Sequence, residues 1–212
     1  MKGCVRRVAM SCALAVALAG TAGAQSLTPD DIRAMVDRKL TQMNPYQELL
    51  NDPDPARSLA ALEIMLESGD PTLVRMAMEF GLVSIDPVVR RTALEGYLAT
   101  GPVLTIQFDG SAVRSPNYEI MARETAFSGS MDSARTGYWR IPIDRERRNG
   151  SCYMMAGLDG CFITVNPDGV YVSSAWNYMN GRGTLTPEGT IVGQASLRSV
   201  PGSVPFSIRL LE

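Results

Sequence analysis

The sequence predicts an α+β protein in which an antiparallel helical array precedes an antiparallel all-β small barrel or sandwich. Three observations predict this fold class. Residues 25–101 carry apolar side chains at helical spacing, together with an Asp-Pro dipeptide that recurs every 16 residues. Residues 102–212 break into short apolar runs separated by turn sequences. Two cysteines, Cys152 and Cys161, flank one of those turns.

Residues 1–24 have the three parts of a secretory signal peptide. Basic side chains precede an apolar stretch at 8–19, and Ala-Gly-Ala at 22–24 supplies the small residues that a signal peptidase needs. The apolar stretch is shorter than the about 20 residues that cross a bilayer. We therefore expect cleavage before Gln25, a mature protein without a membrane span, and a periplasmic or secreted location.

The composition excludes several classes of function. Removal of the signal leaves 17 basic against 22 acidic side chains, so no positive field would attract nucleic acid. The chain has no histidine, which excludes His-dependent catalysis and most zinc sites. Walker and dinucleotide-binding motifs are also missing from the sequence. We expect no cofactor, no metal and no enzyme activity; carboxylate-based hydrolysis is the alternative that the composition leaves open.

The first predicted helix begins at Thr28, a good N-cap that is followed by Pro29 and by two aspartates. Apolar residues at 32, 35, 36, 40 and 43 continue it at helical spacing. Asn44-Pro45 predicts its end, because proline disfavours a helical conformation in the preceding residue.

A 16-residue repeat follows. Each copy begins with Asp-Pro and has alanine seven, leucine or methionine eight, glutamate nine and leucine twelve positions after the aspartate. Because aspartate caps a helix and proline suits its first position, each copy predicts one helix of about three turns. Positions eight and twelve lie one turn apart and predict a shared apolar face. The copies begin at Asp54, Asp70 and Asp86, and Gly69 and Gly101 predict the ends of the first and third helices.

The third copy, Asp86-Pro87-Val88-Val89-Arg90-Arg91 followed by Ala93-Leu94, resembles the HEAT-like repeats found in short bacterial versions. Asp54-Pro55 and Asp70-Pro71 are weaker copies, so that the resemblance covers about residues 50–101. It implies an array of stacked helices of the kind that binds other proteins. An array this short is alternatively a rigid cap on the second domain. The glutamates at 63, 79 and 95 form either an acidic ladder or solvated positions beside the apolar face.

The C-terminal half reads as a meander of short strands. Turn sequences include Asp109-Gly110, Asn149-Gly150 and Thr186-Pro187-Glu188-Gly189. Glycines at 181, 183 and 193 indicate close packing or a bend where a barrel closes. A long loop is expected at 123–136. The predicted strands occupy residues 103–108, 118–122, 138–143, 152–155, 161–165, 169–173, 177–185, 190–197 and 205–211.

Cys152 and Cys161 predict a disulfide, because an even pair in an exported chain flanks the Asp159-Gly160 turn and a hairpin would bring the two side chains together. A metal site is the alternative, but two cysteines without histidine do not complete a zinc shell.

Four residues are candidates for ligand binding: Trp139, Arg140, Trp176 and Tyr178. Aromatic rings beside planar polar groups hold sugars, peptides and other flat groups. The alternative is that both tryptophans belong to the core. Arg145, Arg147 and Arg148 form a basic loop that either grips an anionic partner or is simply solvated.

These observations favour a non-enzymatic binding or adaptor protein of the cell envelope, which holds a protein partner through the array or the β-domain loops. A small-ligand or glycan-binding barrel is the alternative. An adaptor predicts an exposed apolar patch on the array and no deep cavity, whereas a ligand barrel predicts an open cavity that touches Trp139 or Trp176.

Overall fold

The computed structural model describes residues 27–211. Four helices come first: α1 (Pro29–Leu50), α2 (Pro55–Glu67), α3 (Pro71–Leu82) and α4 (Pro87–Ala99). The predicted signal peptide at 1–24 lies outside the described residues. The described residues divide into two compact units, with the boundary between Thr41 and Gln42. The second unit contains α2 to α4 and every strand, so the predicted boundary at residue 101 marks the change from helices to strands within that unit.

The Asp-Pro repeat sets the start of three helices, as predicted. Each proline is the first helical residue, and the aspartate before it accepts a hydrogen bond from a backbone N–H in the first turn. The Asp54 carboxylate accepts from Ala56 at 2.9 Å, and the Asp86 carboxylate accepts from Val88 at 2.7 Å. Gly69 and Gly101 follow the ends of α2 and α4 with φ near +70°, the left-handed conformation that glycine adopts easily.

The apolar positions of the repeat form the buried face of the array. Leucine or methionine at position eight and leucine at position twelve are buried in all three copies. Close packing needs small residues here: a Cβ added to Gly81 of α3 would lie 2.5 Å from the Ala93 Cβ of α4. The shared face that the repeat predicts is therefore present.

The prediction that α1 ends at Asn44-Pro45 is wrong. The helix continues to Leu50 with Pro45 inside it. Proline removes one intrahelical hydrogen bond, the one that would reach the carbonyl of Thr41, and a helix continues when the turns on both sides keep theirs. The division between the two compact units falls at this Thr41, one turn before the proline.

In residues 27–211, nine strands form a single antiparallel sheet, and eight of them close into a barrel. Strands β3 to β9 pair in sequence order, and β1 closes the barrel by pairing with both β9 and β3, while the short β2 adds to β3. The bounds are β1 (Val103–Asp109), β2 (Ser130–Met131), β3 (Thr136–Asn149), β4 (Cys152–Met155), β5 (Cys161–Asn166), β6 (Gly169–Ser173), β7 (Met179–Leu185), β8 (Thr190–Leu197) and β9 (Val204–Arg209).

Large side chains fill the barrel interior. Trp139, Phe108 and Phe206 are among its buried residues. The inner positions in the middle of β7 and β8 are glycine or alanine, and the ring of Phe206 occupies the space beside them: a Cβ on Gly181 or Gly183 would lie 3.1–3.2 Å from that ring. These glycines therefore serve close packing across the barrel.

The prediction of a strand at 118–122 is wrong, because this segment is a short helix, α5 (Asn117–Ala122). Tyr118, Met121 and Ala122 are buried at positions i, i+3 and i+4, a helical spacing that the turn-rich surroundings concealed. The Tyr118 hydroxyl lies 2.9 Å from the carbonyl oxygens of Phe108 and Arg135 and accepts a hydrogen bond from the Gly137 N–H at 3.1 Å. This helix therefore packs against the barrel rather than extending its sheet.

The Cys152–Cys161 disulfide is present, as predicted, and its Cα atoms lie 5.6 Å apart. It joins β4 to β5 across the turn that contains Asp159-Gly160. In residues 27–211, no helix is both long enough and apolar enough to cross a membrane.

Candidate functional site

A groove of about 710 Å³ runs along the helical array and is bounded by the β domain. Helices α2, α3 and α4 contribute most of its lining, and β3 contributes Arg145 and Arg148. We call it the array groove. Both halves of the predicted architecture therefore build one concave surface within the second compact unit.

Apolar side chains line part of the array groove. Leu66 and Met78 come from the buried faces of α2 and α3, and Val74 is half-buried between them and solvent. Gly96 of α4 lets that helix approach α2 closely, since a Cβ at this position would lie 2.5 Å from the Leu66 Cδ1. The result is an apolar surface to which another side chain could bind.

Carboxylates enter the array groove from two helices. Glu63 and Glu67 of α2 are exposed and form no ion pair among residues 27–211. Glu95 of α4 pairs with Arg91 at 3.3 Å. The third predicted ladder position, Glu79, pairs weakly with Arg75 at 3.9 Å. The three repeat glutamates thus differ in their ion-pair partners. Among residues 27–211, the groove carboxylates that form no ion pair are those of α2.

A bulge in β3 positions the arginines. The β3–β4 register shifts between Ile143 and Arg148, and the extra residues fold around the Asp144 carboxylate. This carboxylate accepts hydrogen bonds from the backbone N–H groups of Glu146 and Arg147, and it pairs with the Arg147 guanidinium at 2.7 Å. Arg147 also bonds to Asp159 and to two carbonyl oxygens. Arg147 therefore stabilises the bulge, and the bulge changes the direction in which the neighbouring side chains point.

Arg145 and Arg148 line the array groove from this bulge. Gly101 allows β3 to approach the end of α4 closely, since a Cβ added at this position would lie 3.0 Å from the Arg145 Cβ. Arg148 lies over the ring of Tyr153 at 5.8 Å, and the Tyr153 hydroxyl donates to the Glu95 carbonyl at 3.0 Å, which joins the barrel to α4. Burial raises the pKa of the Tyr153 hydroxyl above its ordinary 10.0, so this donor stays protonated.

The bulge should make the free energy of unfolding depend on pH in the acidic range. Hydrogen bonds from Arg147, first its side chain and then its backbone, lower the pKa of Asp144 below 3.8. A lowered pKa in the folded state stabilises the fold above pH 3.8, and this contribution is lost as the pH falls through the lowered value. We expect Asp144→Asn to remove that part of the pH dependence, measured by urea unfolding from neutral pH to about pH 2.5. Asp37→Asn, at an exposed carboxylate of α1, is the control; equal pH slopes for wild type and Asp144→Asn would contradict the assignment.

Trp139 lies in the barrel core and is fully buried. Its ring packs between Phe108, at a centroid distance of 4.9 Å, and Phe127, at 4.4 Å. Its indole N–H donates to the Met121 carbonyl at 2.9 Å. No face of this indole is left for a ligand, which matches the alternative that it is a core residue.

Trp176 is 61% exposed, unlike Trp139. It has φ +56°, which is uncommon for a bulky residue, and its ring meets Tyr178 at 6.1 Å. Tyr178 in turn contacts Phe127 at 5.5 Å and has Arg198 over its ring. The structure thus joins three of the four predicted residues in one aromatic series that runs from the core to the surface.

Arg140, the fourth predicted residue, is separated from that series. It follows Trp139 along β3, so it points to the opposite face of the sheet and is exposed outside the barrel. Neither tryptophan lines any of the four cavities described in residues 27–211. Within the same residues, no group of three or more Asp, Glu, Cys or His side chains could hold a metal ion.

The sequence predicted several residues of the array groove, but it did not predict that they line the same groove. The repeat glutamates and the basic loop were separate candidates, and the role of Leu66, Val74 and Met78 as groove lining was missed. Small residues in the repeat indicate close helix packing, but the packing of β3 against α4, which brings Arg145 and Arg148 to the groove, is a tertiary contact. Comparison with protein-family models, curated proteins and solved structures found no match for this chain.

Proposed function

We propose that this protein is an exported, non-enzymatic binding protein of the cell envelope, which holds a peptide segment of a partner protein in the array groove. The observation that carries the proposal is the composition of the groove. It combines an apolar lining from the array with carboxylates from α2 and guanidinium groups from β3, and no ion pair joins these two charged sets in residues 27–211.

The charges define the partner segment. An acidic side chain would face Arg145 and Arg148, and a basic side chain would face the α2 carboxylates, which gives the segment one orientation. An apolar side chain between them would contact Leu66, Val74 and Met78. A segment with this order of charges fits the groove, and one with the reverse order leaves like charges opposed.

The distribution of exposed apolar residues supports a partner at the helices. Most of the exposed large apolar side chains in residues 27–211 precede residue 101. Ile64 of α2 is 68% exposed, and Ile85 beside the start of α4 is 97% exposed. A protein-binding surface accounts for apolar groups that folding leaves in water. The HEAT-like resemblance of the repeat supports the same role, and the signal peptide together with the disulfide supports export.

Site-directed cross-linking tests the proposal. A photo-reactive amino acid at Val74, in the groove, should capture an envelope protein that the same group at Val192, on the barrel surface, does not capture. Mass spectrometry of the cross-link identifies the bound segment, which is then synthesised and titrated against the mature protein. We expect Arg145→Glu/Arg148→Glu to weaken binding of this peptide by at least about tenfold, because two attractive contacts become repulsive.

Two controls make the result specific. Arg114→Glu reverses an exposed arginine outside the groove and should leave the affinity unchanged. A peptide whose acidic residues are changed to lysine should bind the double variant better than it binds the wild type. Equal capture from positions 74 and 192, or unchanged peptide affinity in the double variant, would sink the proposal.

A glycan-binding protein is the second candidate, favoured by the exposed Trp176 on its left-handed backbone beside Tyr178. Exposed aromatic rings stack on sugars, and strained backbone is retained where the surrounding structure holds it for a purpose. This candidate places the ligand on the barrel surface, so it predicts glycan binding that Trp176→Ala removes and Arg145→Glu/Arg148→Glu leaves intact.

A further inference from the structure

Most arginines of this protein have partners, and the exceptions are informative. Within residues 27–211, arginines form ion pairs, hydrogen bonds to carbonyl groups or contacts over tyrosine rings. The arginine side chains without such a contact in this part of the chain are Arg38, Arg114, Arg140, Arg145 and Arg209. Arg145 belongs to the array groove, and two of the others lie close together on the barrel.

Arg140 and Arg209 flank one residue of β1. Thr105 of β1 pairs with Arg140 of β3, and the β1–β9 register, in which Ile106 pairs with Ile208, places Arg209 on the other side of Thr105. Side chains alternate along each strand, so all three point outward from the barrel, and their burial agrees: the inward neighbours Ile106, Ile141 and Ile208 are buried. Arg140 and Arg209 thus lie on the two strands that flank β1, with Thr105 between them on the same outer face.

These side chains line a cavity of about 400 Å³ together with Tyr97, Val103 and Leu210. None of the described residues that line it is an aspartate or glutamate. These two arginines form no ion pair among residues 27–211, and their like charges repel each other. A bound anion would remove that repulsion, and the volume exceeds what a bare anion needs and is within the range of small-molecule sites.

We propose that this cavity binds a small phosphomonoester, whose phosphate group is held by Arg140 and Arg209 with the Thr105 hydroxyl between them. The charge selects phosphate over carboxylate: a phosphomonoester carries about −1.5 to −2 at neutral pH and matches two guanidinium groups, whereas a carboxylate neutralises only one. Guanidinium groups bind phosphate oxygens in pairs of parallel hydrogen bonds. Tyr97 and the apolar lining contact the organic part of the ligand. This site is separate from the array groove.

Calorimetric titration of the mature chain at low ionic strength tests the site, because salt screens exposed charges. Glucose 1-phosphate is the soluble probe, glucose and gluconate are its neutral and carboxylate counterparts, and vesicles containing phosphatidic acid present the same phosphate on a lipid. We expect saturable binding of glucose 1-phosphate, no binding of glucose and weaker binding of gluconate. Arg140→Gln and Arg209→Gln should each weaken phosphate binding by at least about tenfold.

The matched control is Arg114→Gln, which removes an exposed, unpaired arginine elsewhere and should bind as the wild type does. Binding of phosphatidic acid vesicles with the same dependence on Arg140 and Arg209 would identify a lipid as the source of the phosphate, and binding of glucose 1-phosphate alone would identify a soluble ligand. The proposal is overturned if neither probe binds, if both glutamine variants bind as the wild type does, or if gluconate binds as tightly as glucose 1-phosphate.

Discussion

Replacing Trp139 with alanine should lower the free energy of unfolding by about 3–5 kcal/mol, the usual cost of removing a large buried aromatic side chain. The indole is fully buried between Phe108 and Phe127, so its loss opens a cavity that the closed barrel cannot collapse around. The change also leaves the buried Met121 carbonyl without its donor. Urea unfolding followed by far-ultraviolet circular dichroism measures the difference.

Trp176→Ala is the matched control for this experiment. It removes the same side chain from a surface position that is 61% exposed and contacts Tyr178 edge-on. We expect a change in unfolding free energy within about 1 kcal/mol. If the two alanine variants were equally destabilised, the assignment of Trp139 to the core and Trp176 to the surface would be wrong.

Gly193→Val should destabilise the protein by about 3 kcal/mol or more, at the upper end of the cost of overpacking. A Cβ on Gly193 would lie 2.2 Å from the Arg182 carbonyl oxygen and 2.6 Å from the Gly183 Cα, both in the backbone of the neighbouring strand β7. Backbone atoms cannot rotate away as the end of a side chain does, so β7 and β8 would have to separate and lose pairing. Thermal unfolding of the purified variant measures the effect.

Gly150→Ala provides the comparison, because it tests conformation without crowding. Gly150 has φ +59° in the β3–β4 turn, and an added Cβ would meet no atom within 4 Å. The expected cost is about 1–2 kcal/mol, that of a side chain in the left-handed region. A Gly193→Val variant no less stable than Gly150→Ala would contradict the tight contact between β7 and β8.

Local chemistry explains which elements could be predicted. The Asp-Pro pairs at 54, 70 and 86 set helix starts because capping and the proline conformation involve only a few adjacent residues. The strands β4, β6 and β8 have the predicted bounds because turn residues flank them on both sides. The predictions were wrong where two local signals conflicted. In α5, a helical spacing of apolar residues lies within turn-rich surroundings, and in α1 the helical spacing continues on both sides of Pro45.

The candidate sites depended on contacts between distant parts of the chain. No local signal identified Trp139 as a core residue and Trp176 as a surface residue, and the closure of the barrel places one inside and the other outside. The basic loop was visible at 145–148, but the bulge around Asp144 decides that Arg147 is structural while Arg145 and Arg148 line the array groove. Thr105 and Arg209 were not candidate residues, because nothing in the local sequence of either one indicates that β1 and β9 pair.

The sequence by itself determined the helical array, the meander of strands, the disulfide and the α+β class, because spacing, capping, turns and cysteine pairing act over short stretches of chain. Only the tertiary structure decided that the β domain is a closed barrel rather than a sandwich, since closure depends on β1 pairing with both β3 and β9. It also decided that α2 and β3 share a groove and that Arg140 and Arg209 share a cavity. Pairing register and helix packing join residues that are far apart in the sequence, and no local pattern specifies which of them come together.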